Sequence, residues 1–188
     1  MKAKLLLLIS MVGIGGCSQS QTQTQTETKK NILVVYFSHT GNTRVIAEQI
    51  RNATDADIFE IQPVKDYPTD YQTLVDQAQK EINADYKPEL KAKVENIGQY
   101  DVIFVGSPCW WGTIAPPVAT FLSSYDLSGK TIAPFMTHEG SGMGHSEADI
   151  KKLCPKSTVL EGLPIKGSYV NSAKNDVLKW LTKIKIIK

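Results

Sequence analysis

Apolar and polar positions change their period in an ordered way along this chain. Residues 32–37 (ILVVYF) form an unbroken apolar run, as expected for a strand covered on both faces of a parallel sheet. A small-polar loop follows, and then Val45, Ile46, Ile50 and Ala53 fall at helical spacing. Residues 58–61 predict a short second strand. Beyond it Tyr67, Tyr71, Leu74, Val75, Ala78 and Ile82 repeat at helical intervals, with Thr69 and Gln72 spaced as a capping box. Residues 102–106 are a third apolar strand. Ile114, Val118, Phe121, Leu122 and Tyr125 mark the next helix, with Pro116 and Pro117 tolerable only in its first turn. Residues 131–136 predict a fourth strand, and Ser146 with Asp149 suits the cap of a short helix holding Ile150 and Leu153. Residues 158–160, extended through Ile165, predict a fifth strand, and Val177, Leu178, Leu181 and Ile184 a closing helix. Strands alternating with helices predict an α/β domain: a three-layer, doubly wound, five-stranded parallel sheet with right-handed crossovers. In such sheets ligands bind outside the carboxyl ends of the strands, where the strand order reverses.

The first thirty residues follow a different pattern. Lys2 and Lys4, an apolar run over residues 5–14 and the small pair Gly15-Gly16 read as a cleavable export signal over residues 1–16. The ten-residue run, at about 1.5 Å per residue, covers only half of a ~30 Å hydrocarbon core, too little to span it. Small residues before Cys17 resemble a bacterial lipobox. That resemblance implies lipidation at Cys17 and a membrane-anchored, exported bacterial lipoprotein; several acyl chains hold a membrane far better than one. The rest of residues 17–30, SQSQTQTQTETKK, offers nothing apolar to bury and reads as a flexible tether. The folded domain is expected over residues 31–188.

Charge narrows the function. Lys2 and Lys4 are expected to leave with the signal, which reduces 21 basic residues to 19 and matches the 19 acidic ones. A near-neutral domain without a dense Lys/Arg run is not built for nucleic acid.

Three loops that follow strands carry the chemistry. Ser38-His39-Thr40-Gly41-Asn42-Thr43 places hydroxyls, a glycine and a helix N-terminus where a phosphate monoester would sit. The GxxxxGK[ST] spacing of a triphosphate loop is missing. Gly106-Ser107-Pro108-Cys109-Trp110-Trp111-Gly112 holds two adjacent indoles that cannot both enter one small core. A flat aromatic ligand gives one of them a stacking partner worth roughly 1 kcal/mol beyond its buried area. The third loop, Thr137-His138-Glu139-Gly140-Ser141-Gly142-Met143-Gly144-His145-Ser146, has three glycines that let its backbone approach a ligand closely. His138, Glu139 and His145 raise a metal alternative, but no second cluster completes a ligand set.

Together, the SxTGNT, SPxWWG and THxGSG signatures in this order resemble the flavodoxin-like family over nearly the whole domain. The resemblance implies the strand order 2-1-3-4-5 and bound flavin mononucleotide (FMN). By that likeness Ser38, His39, Thr40, Gly41, Asn42 and Thr43 hold the phosphate. Pro108, Cys109, Trp110, Trp111 and Gly112 line one side of the isoalloxazine, and Glu139, Gly140, Ser141 and Gly142 form the other rim. No catalytic side chain and no metal ligand is implied. The expected role is electron transfer at a membrane surface, as a carrier or as a small FMN-dependent, quinone-reductase-like enzyme. Its redox donor and acceptor, protein or quinone, are left open. A non-redox module for another phosphorylated aromatic ligand is the alternative, since a fold alone does not fix function. No GxGxxG fingerprint for a nicotinamide dinucleotide follows a strand, which favours the carrier.

Two features depart from the long-known electron carriers of this family. Those proteins are strongly acidic and cover the flavin with an aromatic from the third loop; here the domain is neutral and that loop has no Phe, Tyr or Trp. The expectation is a flavin potential less extreme than theirs. Cys109 and Cys154 are expected at opposite ends of the sheet, about 17 Å apart, whereas bridged Cα atoms lie within about 7 Å. No disulfide between them is expected.

Overall fold

The structure, a computed structural model, describes residues 30–188. The export signal, Cys17 and the tether apart from Lys30 lie outside the described residues. Among the described residues no helix is long and apolar enough to cross a membrane.

The core strands are β1 (Ile32–Tyr36), β2 (Asp57–Glu60), β3 (Val102–Trp110) and β5 (Thr131–His138), with an outer strand split into β6 (Thr158–Val159) and β7 (Leu163–Lys166). All pair in parallel, in the order β2-β1-β3-β5-β6, and β7 continues the same edge beside β5. Counting core strands alone, this is the expected 2-1-3-4-5. A two-residue strand, β4 (Thr113–Ile114), turns back antiparallel onto the end of β3. The helices are α1 (Asn42–Thr54), α2 (Tyr71–Asn83), α3 (Pro116–Ser123), α4 (Ser146–Leu153) and α5 (Lys174–Lys183).

Alternate strand residues feed opposite faces, which is why the runs are apolar throughout. Leu33, Val35, Ile103, Val105, Ile132 and Met136 pack with Leu74, Val118, Phe121, Leu122 and Ile150 of α2, α3 and α4. Val34, Tyr36, Phe104, Ala133 and Phe135 pack with Ile46, Ala47, Ile50, Val177, Trp180 and Leu181 of α1 and α5. Three layers result. Pro116 and Pro117 occupy the first turn of α3.

Several local expectations need correction. Thr69 and Gln72 do not cap α2; Asp70 does, its Oδ1 accepting from the Thr73 amide at 2.9 Å. An extended Asp one residue before the helix satisfies the first-turn amides directly. Ser146 does not cap α4 either. It is the first helical residue, and its buried hydroxyl has no partner, while the Asp149 carboxylate is taken by Thr113 and His145. Ile114 and Tyr125 flank α3 rather than belonging to it. The outer strand is interrupted around Gly162, whose amide donates to Glu147 Oε1 at 2.6 Å instead of to the sheet. Cys109 and Cys154 are free thiols.

Candidate functional site

The carboxyl ends of β1, β3 and β5 open onto a cleft of about 750 Å3. His39, Thr40 and Asn42 line it from the first loop, Pro108, Cys109, Trp110, Trp111 and Gly112 from the second, and Glu139, Gly140 and Ser141 from the third. Ser38, Gly41, Thr43 and Gly142 belong to the same loops but do not line it. The structure thus brings the three loops together around one space.

Thr43 has a different task from its neighbours. It is buried, and its Oγ1 lies 2.8 Å from Thr137 Oγ1, tying the start of α1 to the end of β5. Gly41 is the N-cap of α1 with φ +93°, a left-handed turn that favours glycine. Gly41 carries no capping side chain and the first turn has no acidic residue; the Ser38 hydroxyl accepts from the Arg44 amide at 3.3 Å. Helices commonly neutralise this end with an acidic group; here the positive end of the dipole and the first-turn amides ahead of Arg44 face the loop, where an anion is favoured.

The two tryptophans part company. Trp110 leans inward, edge-on to Phe37 (ring centroids 5.5 Å apart) and Tyr67 (4.9 Å), with His39 across from it at 6.0 Å. Trp111 is 50% exposed and sits at φ +50°, a strained conformation for a bulky residue. Its indole Nε1–H donates to the Val75 carbonyl at 3.1 Å, pinning the loop to α2.

The third loop is clamped to the second. The His145 amide donates to the Gly112 carbonyl at 2.8 Å, and His145 Nδ1 lies 2.6 Å from Asp149 Oδ2, which also accepts from the Thr113 hydroxyl. The Gly140 amide donates to His138 Nδ1 at 3.0 Å, folding the rim over its own histidine. Gly167, beyond β7, lets two site residues pass: a Cβ there would lie 2.2 Å from Glu139 Oε1 and 2.6 Å from Asn42 Nδ2.

One wall was not assigned to the site from sequence. Tyr71, Leu74, Val75 and Ala78 of α2 line the cleft, as do Thr137 and His138. The helical stripe of α2 was the available signal, but periodicity does not say whether a stripe faces core or ligand. Of the three tyrosines in this region, Tyr67 packs inside while Tyr71 and Tyr86 are exposed. The Tyr67 hydroxyl donates to Glu81 Oε2 at 2.5 Å. Burial first, and then this hydrogen bond to a carboxylate, push its phenol well above the ordinary tyrosine range. Among the described residues, no group of three or more His, Cys, Asp or Glu is placed to hold a metal ion.

A helix N-terminus with no acidic first-turn residue lies beside an apolar, indole-lined slot at the switch point of a doubly wound sheet, where such folds bind ligands. The chain belongs to the flavodoxin family: the family model described as flavodoxin matches residues 31–184. A Bacteroides eggerthii protein classed as a flavoprotein is 34% identical, with 85% of this chain and 99% of that one covered and a TM-score of 0.75. A similarly classed Bacteroides uniformis protein is 29% identical over 82% of this chain and 99% of its own, with a TM-score of 0.74. A Lactobacillus acidophilus flavoprotein solved in complex with FMN is 26% identical over 76% and 97%, with a TM-score of 0.62. Comparison with curated proteins returns no match. Family and neighbours support a flavin cofactor.

Proposed function

We propose that this protein binds one FMN in the cleft and passes electrons at a membrane surface, held there by lipidated Cys17. The observation that carries the reading is the meeting of the α1 N-terminal loop, with no acidic residue in the helix's first turn, and the Trp110–Trp111 loop in one cleft. Thr40, Asn42 and the first-turn amides of α1 ahead of Arg44 would hold the phosphate, with no lysine or arginine among the described residues lining the cleft. Pro108, Trp110, Trp111 and Gly112 would flank the ring on one side, and the backbone of Glu139, Gly140 and Ser141 on the other. Trp110, braced by Phe37 and Tyr67, fixes the slot before the cofactor arrives, which lowers the ordering cost of binding. Bound FMN supplies the electron-transfer chemistry itself. The chain binds and orients it, excludes water from one face and sets its potential. Tyr71 lines the cleft and is itself exposed, so an electron donor or a planar acceptor would reach the ring from that side.

Titration of the full chain with FMN, followed by tryptophan and flavin fluorescence, tests this reading. Saturation at one FMN per chain, with affinity reduced roughly tenfold by Thr40→Ala or Asn42→Ala as about 1.4 kcal/mol of hydrogen bonding is lost, is the expected result. A folded protein that takes up no FMN overturns it in favour of a non-redox module. Carrier and reductase then separate by one assay. A reductase consumes NADH or NADPH with a quinone and no helper, whereas a carrier requires a partner reductase. The absence of a GxGxxG fingerprint favours the carrier. Membrane attachment is tested by Cys17→Ser, which should move the protein from the membrane to the soluble fraction.

A further inference from the structure

We propose that Tyr67, Trp110 and Glu81 form a path for single electrons into the cleft, with Tyr67 as the terminal electron donor and Glu81 as the acceptor of its proton. The path rests on FMN occupying the cleft. Trp110 lines that cleft, and its ring is in contact with Tyr67, centroids 4.9 Å apart at 72°. Tyr67 is only 7% exposed. Its hydroxyl donates at 2.5 Å to Glu81 Oε2, while the other carboxylate oxygen is steadied by Gln77 Nε2 at 2.8 Å. Glu81 therefore presents a fixed, partly buried base to a buried phenol, and that phenol touches the indole beside the ligand.

The chemistry follows from the acidity of an oxidised phenol. Tyrosine loses an electron readily only where a base takes its proton at once, because the phenol radical cation is a very strong acid. Burial and the carboxylate hold the resting Tyr67 phenol above its ordinary range, so the proton stays on oxygen until an electron leaves. The oxidant is bound FMN excited by blue light. Trp110 gives one electron to the excited ring and becomes a cation radical; Tyr67 returns one electron to Trp110. The Tyr67 O–H bond breaks, its proton passes to Glu81 Oε2, and the products are neutral Trp110, a neutral Tyr67 radical and a protonated Glu81. The ring has gained one electron. Reversal returns one electron to Tyr67 and the proton from Glu81. Tyr100 also donates to a carboxylate, Asp57 at 2.8 Å, but it precedes β3 at the opposite end of the sheet from the cleft. A carboxylate partner alone does not make a path; the ring contact with Trp110 distinguishes Tyr67.

The test is flash photolysis of the FMN-loaded full chain, with the radicals followed by transient absorption and electron paramagnetic resonance. FMN uptake and folding of each variant are measured first. Wild type and Tyr100→Phe should yield a neutral tyrosyl radical. Tyr67→Phe should lose it, leaving a tryptophan radical that recombines faster. Glu81→Gln, which keeps an acceptor for the hydroxyl but takes up no proton, should lose the tyrosyl signal as well. If FMN binds and wild type gives only a tryptophan radical, or Tyr67→Phe keeps the tyrosyl signal, the path is wrong and the FMN reading stands. If no FMN binds, both fall.

Discussion

Gly144 shows how much of the site hangs on one missing side chain. Its φ is +53°, and a Cβ would lie 2.1 Å from the Gly112 carbonyl oxygen, in the backbone of the tryptophan loop. The left-handed turn alone costs an alanine about 1–2 kcal/mol, and the overlap adds to it because backbone does not swing aside. Gly144→Ala should lower Tm by several degrees, at about 2–4 °C per kcal/mol for a chain of this size, and weaken FMN by loosening the His145–Gly112 clamp. Gly98→Ala, where a Cβ meets open space, should change neither. Thermal unfolding and FMN titration of the two variants check the pair. The cysteines differ in the same residue-level way. Burial pushes the Cys154 thiol up to about 11, so it remains protonated and unreactive near neutral pH. Cys154 should resist alkylation in the native protein and react on unfolding, which peptide mass mapping reads directly. Its raised value favours the fold below the unfolded thiol range; that contribution fades as pH rises through about 11.

At the scale of elements, the α2 cap controls one wall of the cleft. Asp70 accepts from both the amide and the hydroxyl of Thr73, and these bonds hold its carboxyl below the usual range. A depressed carboxyl stabilises above its unfolded value and loses that contribution as pH falls through the folded one. Acidification should therefore fray the first turn of α2, where Tyr71 and Leu74 line the cleft. Hydrogen exchange should show wild-type protection in this turn falling with pH, whereas Asp70→Ala should be weakly protected throughout and nearly pH-independent. The same helix marks the limit of what the pattern revealed. Apolar runs located β1, β3 and β5, because residues covered on both faces must be apolar, and Pro116-Pro117 placed the start of α3; β2, at the sheet edge, is exposed to half-buried and has charged residues at both ends. The cap was misread because Thr69 and Gln72 match a spacing rule that Asp70 pre-empts by geometry. The split outer edge was hidden because only the fold brings Glu147 to the Gly162 amide. The three loops were legible as composition. Their mutual clamps, His145 to Gly112 and Thr43 to Thr137, join residues far apart in sequence and left no local signal.

For the whole molecule, the balance of charge sets the expected potential. A reduced isoalloxazine that gains negative charge is disfavoured by carboxylates around it, which is how a strongly acidic surface drives the second electron step to low potential. Here the two signs nearly balance in the domain, 17 basic to 18 acidic over residues 31–188, and among the described residues Glu139 is the single carboxylate lining the cleft, with His39 and His138 beside it. A unit charge about 4 Å away in a water-like environment contributes about 1 kcal/mol, or about 40 mV for one electron. Lacking two or three such neighbours, this protein should hold its second step about 100 mV above that of an acidic flavodoxin. Glu139→Gln should raise it by a further few tens of millivolts, an increment that shrinks as added salt screens the exposed carboxylate. Spectroelectrochemical titration of wild type and variant at low and high salt reads both effects. A wild-type value as low as that of the acidic carriers would mean that apolar contact with Trp110, rather than charge, governs the couple. The Glu139 variant would then leave it unmoved at any salt.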